Sequence, residues 1–374
     1  MAGALSSADA SPMDVKAARS EAWAALAYKA LPLDTLVTLL RAFGDPSAIL
    51  DASRSDLAAV VPRAAVSRLK EPLPEASAMA IRAWLAEPGN ELVAWDDPEY
   101  PRALLELGHA PPVLYFVGRR ELLNRPALAI VGSRNATPQG LDNARAFARA
   151  LSDAGLTIIS GLALGIDAAA HEGALDGSGA TLAVVGTGLD RVYPARHREL
   201  AHTLAARGGL LSEFPPGTPA RASNFPRRNR LISGLARGVL VVEAALSSGS
   251  LITARYAGEQ GREVFAIPGS IHSPLARGCH KLIREGAKLV ETAQDVLAEL
   301  GLADRAAPLV QTTAVREEGP RAALLGALAA DPADLDCLAA RTGLSTQALC
   351  ANLMALELDG KVVALPGGRW QRRP

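Results

Sequence analysis

The sequence predicts an α/β protein: a doubly wound parallel sheet, preceded by a small helical module and followed by a winged helix. Three observations carry that expectation. Six short runs rich in Val, Ile and Leu recur from Ala127 onward: ALAIVG, LTIISG, TLAVVG, GLLSEF, GVLVVEA and EVFAIPG. Each is apolar on both alternating faces, the pattern of strands covered by helices on both sides. Helix-length segments separate them, among them QGLDNARAFARALSDAG and SLITARYAGEQG, which specifies βαβ crossovers. Finally, the tail reads as helices followed by a hairpin.

Taken in order, residues 1–18 form an Ala/Ser-rich leader. Residues 19–88 hold short helical patterns, with Gly44-Asp45-Pro46 stopping one helix and Pro62, Pro72 and Pro74 interrupting later ones. Residues 89–304 form the main α/β domain, entered by a turn-rich WDDPEYP and a β-rich VLYFVG. Residues 305–319 are a polar linker, and 320–374 the third unit. There RAALLGALAA and DLDCLAARTGLSTQALCANLMALELDG suggest three helices, with Thr342-Gly343-Leu344-Ser345 as the turn of a helix-turn-helix. KVVALPGGRWQ then alternates as two strands around Pro-Gly-Gly.

Apolar residues at 49% and charged residues at 21% are consistent with a packed core rather than disorder. Lys plus Arg equals Asp plus Glu, 39 each, so total charge points to no partner and any electrostatic argument must be local. Cys279, Cys337 and Cys350 lack metal-ligand or paired spacing and read as reduced cytosolic thiols. No secretory h-region and no membrane-length apolar stretch is evident, so a cytoplasmic location is expected.

Ligands of a doubly wound sheet sit outside the carboxyl ends of its strands. Here those ends carry Gly132-Ser133-Arg134, Ser160-Gly161-Leu162-Ala163-Leu164-Gly165, Gly186-Thr187-Gly188 and Pro268-Gly269-Ser270. Small residues let backbone N–H groups approach an anion, and phosphate is the ligand to expect. There is no GxxxxGK[ST], which excludes a P-loop nucleotidase. GLALG has the wrong spacing for a dinucleotide fingerprint, and no acid ends the next strand. No cofactor is expected.

Between positions 221 and 237, RASNFPRRNRLISGLAR carries Arg221, Arg227, Arg228, Arg230 and Arg237 without one acid. Phe225 sits among them, beside Asn224 and Asn229. Guanidinium groups neutralising phosphates while a ring stacks on a base would suit a nucleic-acid strand; an ordinary solvated basic face with a core phenylalanine is the plainer alternative. Arg134 would project into the same rim. Arg277, His280, Lys281, Arg284 and Lys288 form a second cationic group.

Catalytic patterns are sparse. Asp167 and His171 lie four apart on one helix face without a third ligand, so a helix cap plus a hydrogen-bonded histidine is preferred to a metal pair. Glu213 and Glu243 end strands and could form an acid/base pair, but holding arginines such as Arg230 is the stronger expectation. No GxSxG elbow or activated cysteine appears.

The runs IVGSRNATPQG, IISGLALGIDAAAHEGAL, AVVGTGLDRVYP, LLSEFPPGTP, FPRRNRLISGLARGVLVVEA, SGSLITARYAGEQGREVFAIPGS and GCHKLIREGAKLVET resemble, in order, the DprA/Smf family of bacterial DNA-processing proteins. The helical module is similar to that family's sterile-alpha-motif-like (SAM-like) domain, and the tail, less tightly, to its winged helix. The resemblance implies an extended Rossmann-like fold, binding of single-stranded DNA, a homodimer, and loading of the recombinase RecA onto incoming DNA during natural transformation. It also implies DNA contacts from the arginine of the GSR loop and from the FPxRNR loop, here Arg134, Phe225, Arg227, Arg228 and Arg230. Gly132, Ser133, Gly161, Arg221, Asn224, Asn229 and Lys281 complete the expected interface. Ala222 stands where some members place a lysine, which puts one backbone contact in question.

Three readings are kept. The first is a non-catalytic mediator. The second is a nucleotide-cleaving enzyme with Glu243 as acid or nucleophile, since related folds host that activity. The third makes the winged helix the main module, docking duplex DNA or protein.

Overall fold

A computed structural model describes residues 12–305, 319–328 and 332–372. Residues 1–11 of the expected leader and 306–318 of the expected linker lie outside the described residues. The chain is a mixed α/β protein with a large, mostly parallel sheet, a helical N-terminal part and a C-terminal winged helix.

The N-terminal part holds α1 (Pro12–Tyr28), α2 (Leu33–Phe43), α3 (Pro46–Asp51), α4 (Arg54–Val60), α5 (Arg63–Lys70) and α6 (Glu75–Ala86). Its breaks have local causes. Gly44, at φ 77°, ends α2. The Asp45 carboxylate accepts from the Ser47 and Ala48 amides to start α3, with Pro46 in its first turn. Trp23, Leu26, Leu36, Leu39, Ile49 and Trp84 form the core beneath.

Next come β1 (Asn90–Ala94), α7 (Arg102–Leu105), β2 (Val113–Gly118), β3 (Ala127–Val131), α8 (Pro138–Asp153), β4 (Thr157–Ser160), α9 (Ile166–Leu175), β5 (Thr181–Val184), α10 (Arg198–Arg207), β6 (Gly209–Ser212), α11 (Asn224–Leu235), β7 (Gly238–Val241), α12 (Ser250–Glu259), β8 (Glu263–Ala266), α13 (Arg277–Arg284), β9 (Lys288–Leu289) and α14 (Ala293–Glu299). The tail holds α15 (Pro320–Ala327), β10 (Ala333–Asp334), α16 (Leu335–Thr342), α17 (Thr346–Leu358), β11 (Val362–Leu365) and β12 (Arg369–Arg372).

The chain divides into two compact units: Met1–Arg125 with Leu182–Leu235, and Pro126–Thr181 with Ala236–Pro374. In the first, strands run β1-β2-β6-β5. β1 pairs antiparallel with β2, and β2 with β6, whereas β6 and β5 are parallel. This antiparallel flank adds to the parallel strands expected from the sequence. The β1 segment is half-buried at Asn90 and Glu91 and fully buried from Leu92 to Ala94 rather than alternating, so it shows no strand period beside the turn-rich lead-in. Arg120 pins the flank, meeting Glu91, Asp97 at 2.6 Å and Glu99 at 2.7 Å.

The second unit is ordered β4-β3-β7-β8-β9, every pair parallel. All residues of β3, β4 and β7 are buried, as two-sided cover requires. Leu128, Ile130, Phe147, Leu151, Ile158 and Phe265 lie in this core.

Within the winged helix, Gly343 is left-handed at φ 68° and closes α16, and Ser345 caps α17 through the Ala348 amide. β11 and β12 form the expected hairpin, joined by β10, a third strand too short to show in the sequence.

Candidate functional site

The segment expected as an FPxRNR loop forms the first turns of α11. Helical periodicity then sorts residues that look alike in the sequence. Asn224, Arg228, Leu231, Ile232 and Leu235 recur at three- and four-residue spacing and are buried, while Arg227 on another face keeps 60% of its side chain exposed. Arg228, expected on DNA, is 4% exposed and donates a hydrogen bond to the Val184 carbonyl of β5. Its place is inside the fold. Asn224 is also buried; its amide donates to the carbonyls of Gly186 at 3.0 Å and Pro219 at 3.4 Å, clipping α11 to the loop that leaves β5. Asn229 is half-buried and Arg221 exposed.

That clip sets Phe225 against bare backbone. A Cβ on Gly186 would come within 3.1 Å of the Phe225 ring, so the glycine leaves the ring's seat uncrowded. The ring is half-buried, and Tyr193 packs beside it with centroids 5.6 Å apart and planes tilted by 38°. Tyr193 itself is 50% exposed.

Glu213, just after β6, organises the arginines. Its side chain is 1% exposed, and one carboxylate oxygen accepts from Arg230 and, at 3.0 Å, from Arg227. Two guanidinium groups compensate for the desolvation of one buried carboxylate. Arg230 also donates to the His109 carbonyl at 2.8 Å and keeps only 13% side-chain exposure, so it serves mainly as a tether. Arg227 lies over the Phe214 ring at 5.2 Å, with much of its surface open to solvent. Of the acid/base alternatives for Glu213, holding arginines is what the geometry shows.

The remaining expected residues lie in the second unit. Arg134 is exposed. Ser133 is buried: its hydroxyl accepts from the Asn135 amide at 3.1 Å, and its carbonyl accepts from the Ile166 amide at the start of α9. Gly165, at φ 77°, fits against this loop because a Cβ there would strike the Ser133 carbonyl. Gly132 packs on Ile166 and the Glu243 carbonyl. Gly161 is buried too, and its N–H goes to the Asp167 carboxylate at 3.1 Å, which takes it from any ligand. Ser133 and Gly161 therefore shape the loops from buried positions. Lys281 lies on α13, exposed and paired with Glu285 at 3.8 Å.

Asp167 also accepts from the Ala163 amide, and His171 bonds the Thr181 hydroxyl at 2.7 Å. Both are buried; His171 is hydrogen-bonded as expected, but Asp167 is not the expected cap, since Gly165 holds the N-cap of α9 and the Asp167 carboxylate takes amides of the preceding loop instead. No metal-holding cluster occurs among the described residues. Both Glu243 oxygens accept from Thr137: its amide at 2.9 Å and its hydroxyl at 2.6 Å, at the start of α8. Burial pushes the Glu243 carboxyl above the usual range, the hydrogen bonds from Thr137 opposing it. Burial likewise pushes the Cys279 thiol up to about 12, so it is no nucleophile at neutral pH.

Sequence spacing assigns no specific role to Tyr193 or to Gly186 as the seat of a ring. The available signal is an aromatic next to proline and near Arg191, in a loop leaving a strand's carboxyl end.

Residues 91–301 match the family of DNA recombination-mediator protein A, and residues 303–368 match the DprA winged helix domain. The chain is 42% identical over 302 residues to protein Smf of Escherichia coli K12, covering 79% of this chain and 81% of that one. It resembles the X-ray structure of DNA processing protein A from Streptococcus pneumoniae with a TM-score of 0.65 and 39% identity, covering 75% and 97% of the two chains. A Helicobacter pylori DNA processing protein A, whose structure is described as giving insight into its single-stranded DNA binding mode, matches with a TM-score of 0.52 and 30% identity, over 56% and 95% of the chains. No helix among the described residues is long and apolar enough to cross a membrane.

Proposed function

The chain belongs to the DprA/Smf family of DNA-processing proteins, and from that premise we propose that it binds single-stranded DNA and loads RecA onto it during natural transformation. The observation that carries the reading is the ring of Phe225, set over Gly186 and flanked in sequence by the exposed Arg221 and Arg227 in the acid-free stretch that opens α11. Rings offer a sequence-tolerant face to unstacked bases, and guanidinium groups take the phosphates between them. In the other unit, Arg134, exposed after β3, and Lys281, exposed on α13, are each assigned a phosphate on charge and exposure alone. Gly132 and Asn229 contribute shape rather than charge. A cytoplasmic homodimer and direct contact with RecA belong to the same proposal, supported by the family relationship alone.

A gel-shift series tests it. The full chain should retain oligo-dT in preference to duplex of equal length. Phe225→Ala and Arg134→Ala should each weaken retention while melting stays cooperative. RecA nucleation on single strands, followed by its ATP hydrolysis, should quicken with the wild type and less with either variant. Equal affinity for duplex and single strands, unchanged in both variants, sinks the reading.

A further inference from the structure

Resting on the single-strand reading, the geometry points to Tyr193, not Phe225, as the outermost base platform, with Arg196 and Arg198 guiding the backbone away from it along the start of α10. The two rings are 5.6 Å apart and tilted by 38°. A base inserted between parallel rings needs about 7 Å, twice a carbon–carbon contact distance, so the pair is closed to insertion. A base must therefore lie on an outer face. Phe225 is half-buried against Gly186, whereas Tyr193 is 50% exposed. Phe225 acts as the backing plate and Tyr193 as the surface that a base meets.

Charge continues from that platform. Arg196 lies in the short turn Ala195–His197, and Arg198 opens α10. Both are exposed, and neither has an ion-pair partner among the described residues. Arg191 is less available, since Asp190 holds it at 2.8 Å. Glu199, in the first turn of α10, is the opposing charge on this path. Two guanidinium groups against one carboxylate leave the track positive, which suits a phosphate backbone leaving a stacked base.

The test uses the full chain with oligo-dT and with the same oligonucleotide carrying 5-iododeoxyuridine, which cross-links to a stacked ring on irradiation. Tyr193→Ala should weaken dT binding about five- to 150-fold, the span of one base–aromatic stack. Tyr193→Phe keeps the ring and should bind within about twofold of wild type, because stacking uses the ring face. The cross-link should map to Tyr193 and vanish in Tyr193→Ala. Arg196→Ala with Arg198→Ala should lower the salt slope by about 1.4, two contacts at ~0.7 each. If Tyr193→Ala binds like wild type while Phe225→Ala is weakened, or if the cross-link maps to Phe225 alone, the platform assignment fails and the single-strand reading stands. If the wild type itself binds no dT, that reading fails and this inference with it.

Discussion

Arg227 and Arg228 are adjacent and chemically identical, yet they should fail in opposite ways when replaced. Arg228 is 4% exposed and hydrogen-bonded to the Val184 carbonyl. Replacing it with methionine keeps an apolar stem of similar length, so the loss is chiefly the charged hydrogen bond and the acceptor it leaves. Bonds of that kind are worth about 1.5–3 kcal/mol. At roughly 2–4 °C per kcal/mol for a domain of 150–250 residues, a loss near 2 kcal/mol lowers the melting midpoint by about 4–8 °C. Below that midpoint, the salt slope for oligo-dT should be that of wild type. Arg227→Ala removes an exposed group, leaves Arg230 on Glu213, and should lower the slope by about 0.7 with little change in melting. Melting curves and dT titrations from 50 to 200 mM salt, roughly the range where phosphate contacts separate, decide it. A stable Arg228→Met protein with a reduced slope would refute the sorting of these residues by helix face.

Other consequences follow from single contacts. Gly186→Ala places a methyl 3.1 Å from the Phe225 ring, and should displace the ring and weaken dT binding at a stability cost of roughly 1 kcal/mol, the low end of overpacking, since the half-buried ring can move; unaltered binding would show that the ring's seat is irrelevant. Arg120→Met leaves Glu91, Asp97 and Glu99 facing one another and should cost about 2–3 kcal/mol, below the full cost of breaking a buried pair because Glu99 is half-exposed; urea unfolding measures it. Glu243 has its folded pKa raised by burial, so the folded state binds its proton more readily than the unfolded chain, and wild-type stability falls as pH rises from the ordinary carboxylate range through the raised value. Glu243→Gln removes that titration, so the melting difference, wild type minus variant, should be larger below this window than at neutral pH; the opposite trend overturns the assignment. Incubation with nucleoside monophosphates should release no free base from either protein, whereas base release lost in the glutamine variant would revive the enzymatic alternative.

The central domain was legible because its signals are collective. Strands such as ALAIV and GVLV are buried along their whole length, and no local feature competes with that pattern. The β1 strand was hidden because its burial does not alternate and its neighbours are turn residues. The basic cluster was legible as composition but not as orientation. FPRRNR contains a proline and reads as a loop. In the first turn of a helix, however, the N–H that Pro226 lacks has no intrahelical partner to lose, so the proline starts α11 without breaking it. Once the segment is helical, Arg228 lies four residues from both buried Asn224 and buried Ile232 and is buried with them, while Arg227 keeps most of its side chain in solvent. Gly161 and Ser133 show the same gap between composition and orientation. A glycine or serine at a strand end serves a ligand only if its polar groups are free, and spacing alone does not reveal partners such as the Asp167 carboxylate or the Asn135 amide.

What remains exposed limits what the interface can recognise. Arg221, Arg227 and the Tyr193 face present charge and ring surface, while Asn224, the amide best suited to reading a base edge, directs its donor to Gly186 and Pro219. Base-edge hydrogen bonds carry sequence information; stacking and phosphate contacts carry little. On the proposed reading, binding is then tolerant of sequence and spread over several modest contacts, so no single substitution should abolish it. Competition among homopolymers should rank them by stacking strength and backbone stiffness, and a strong preference for one short motif would overturn this reading.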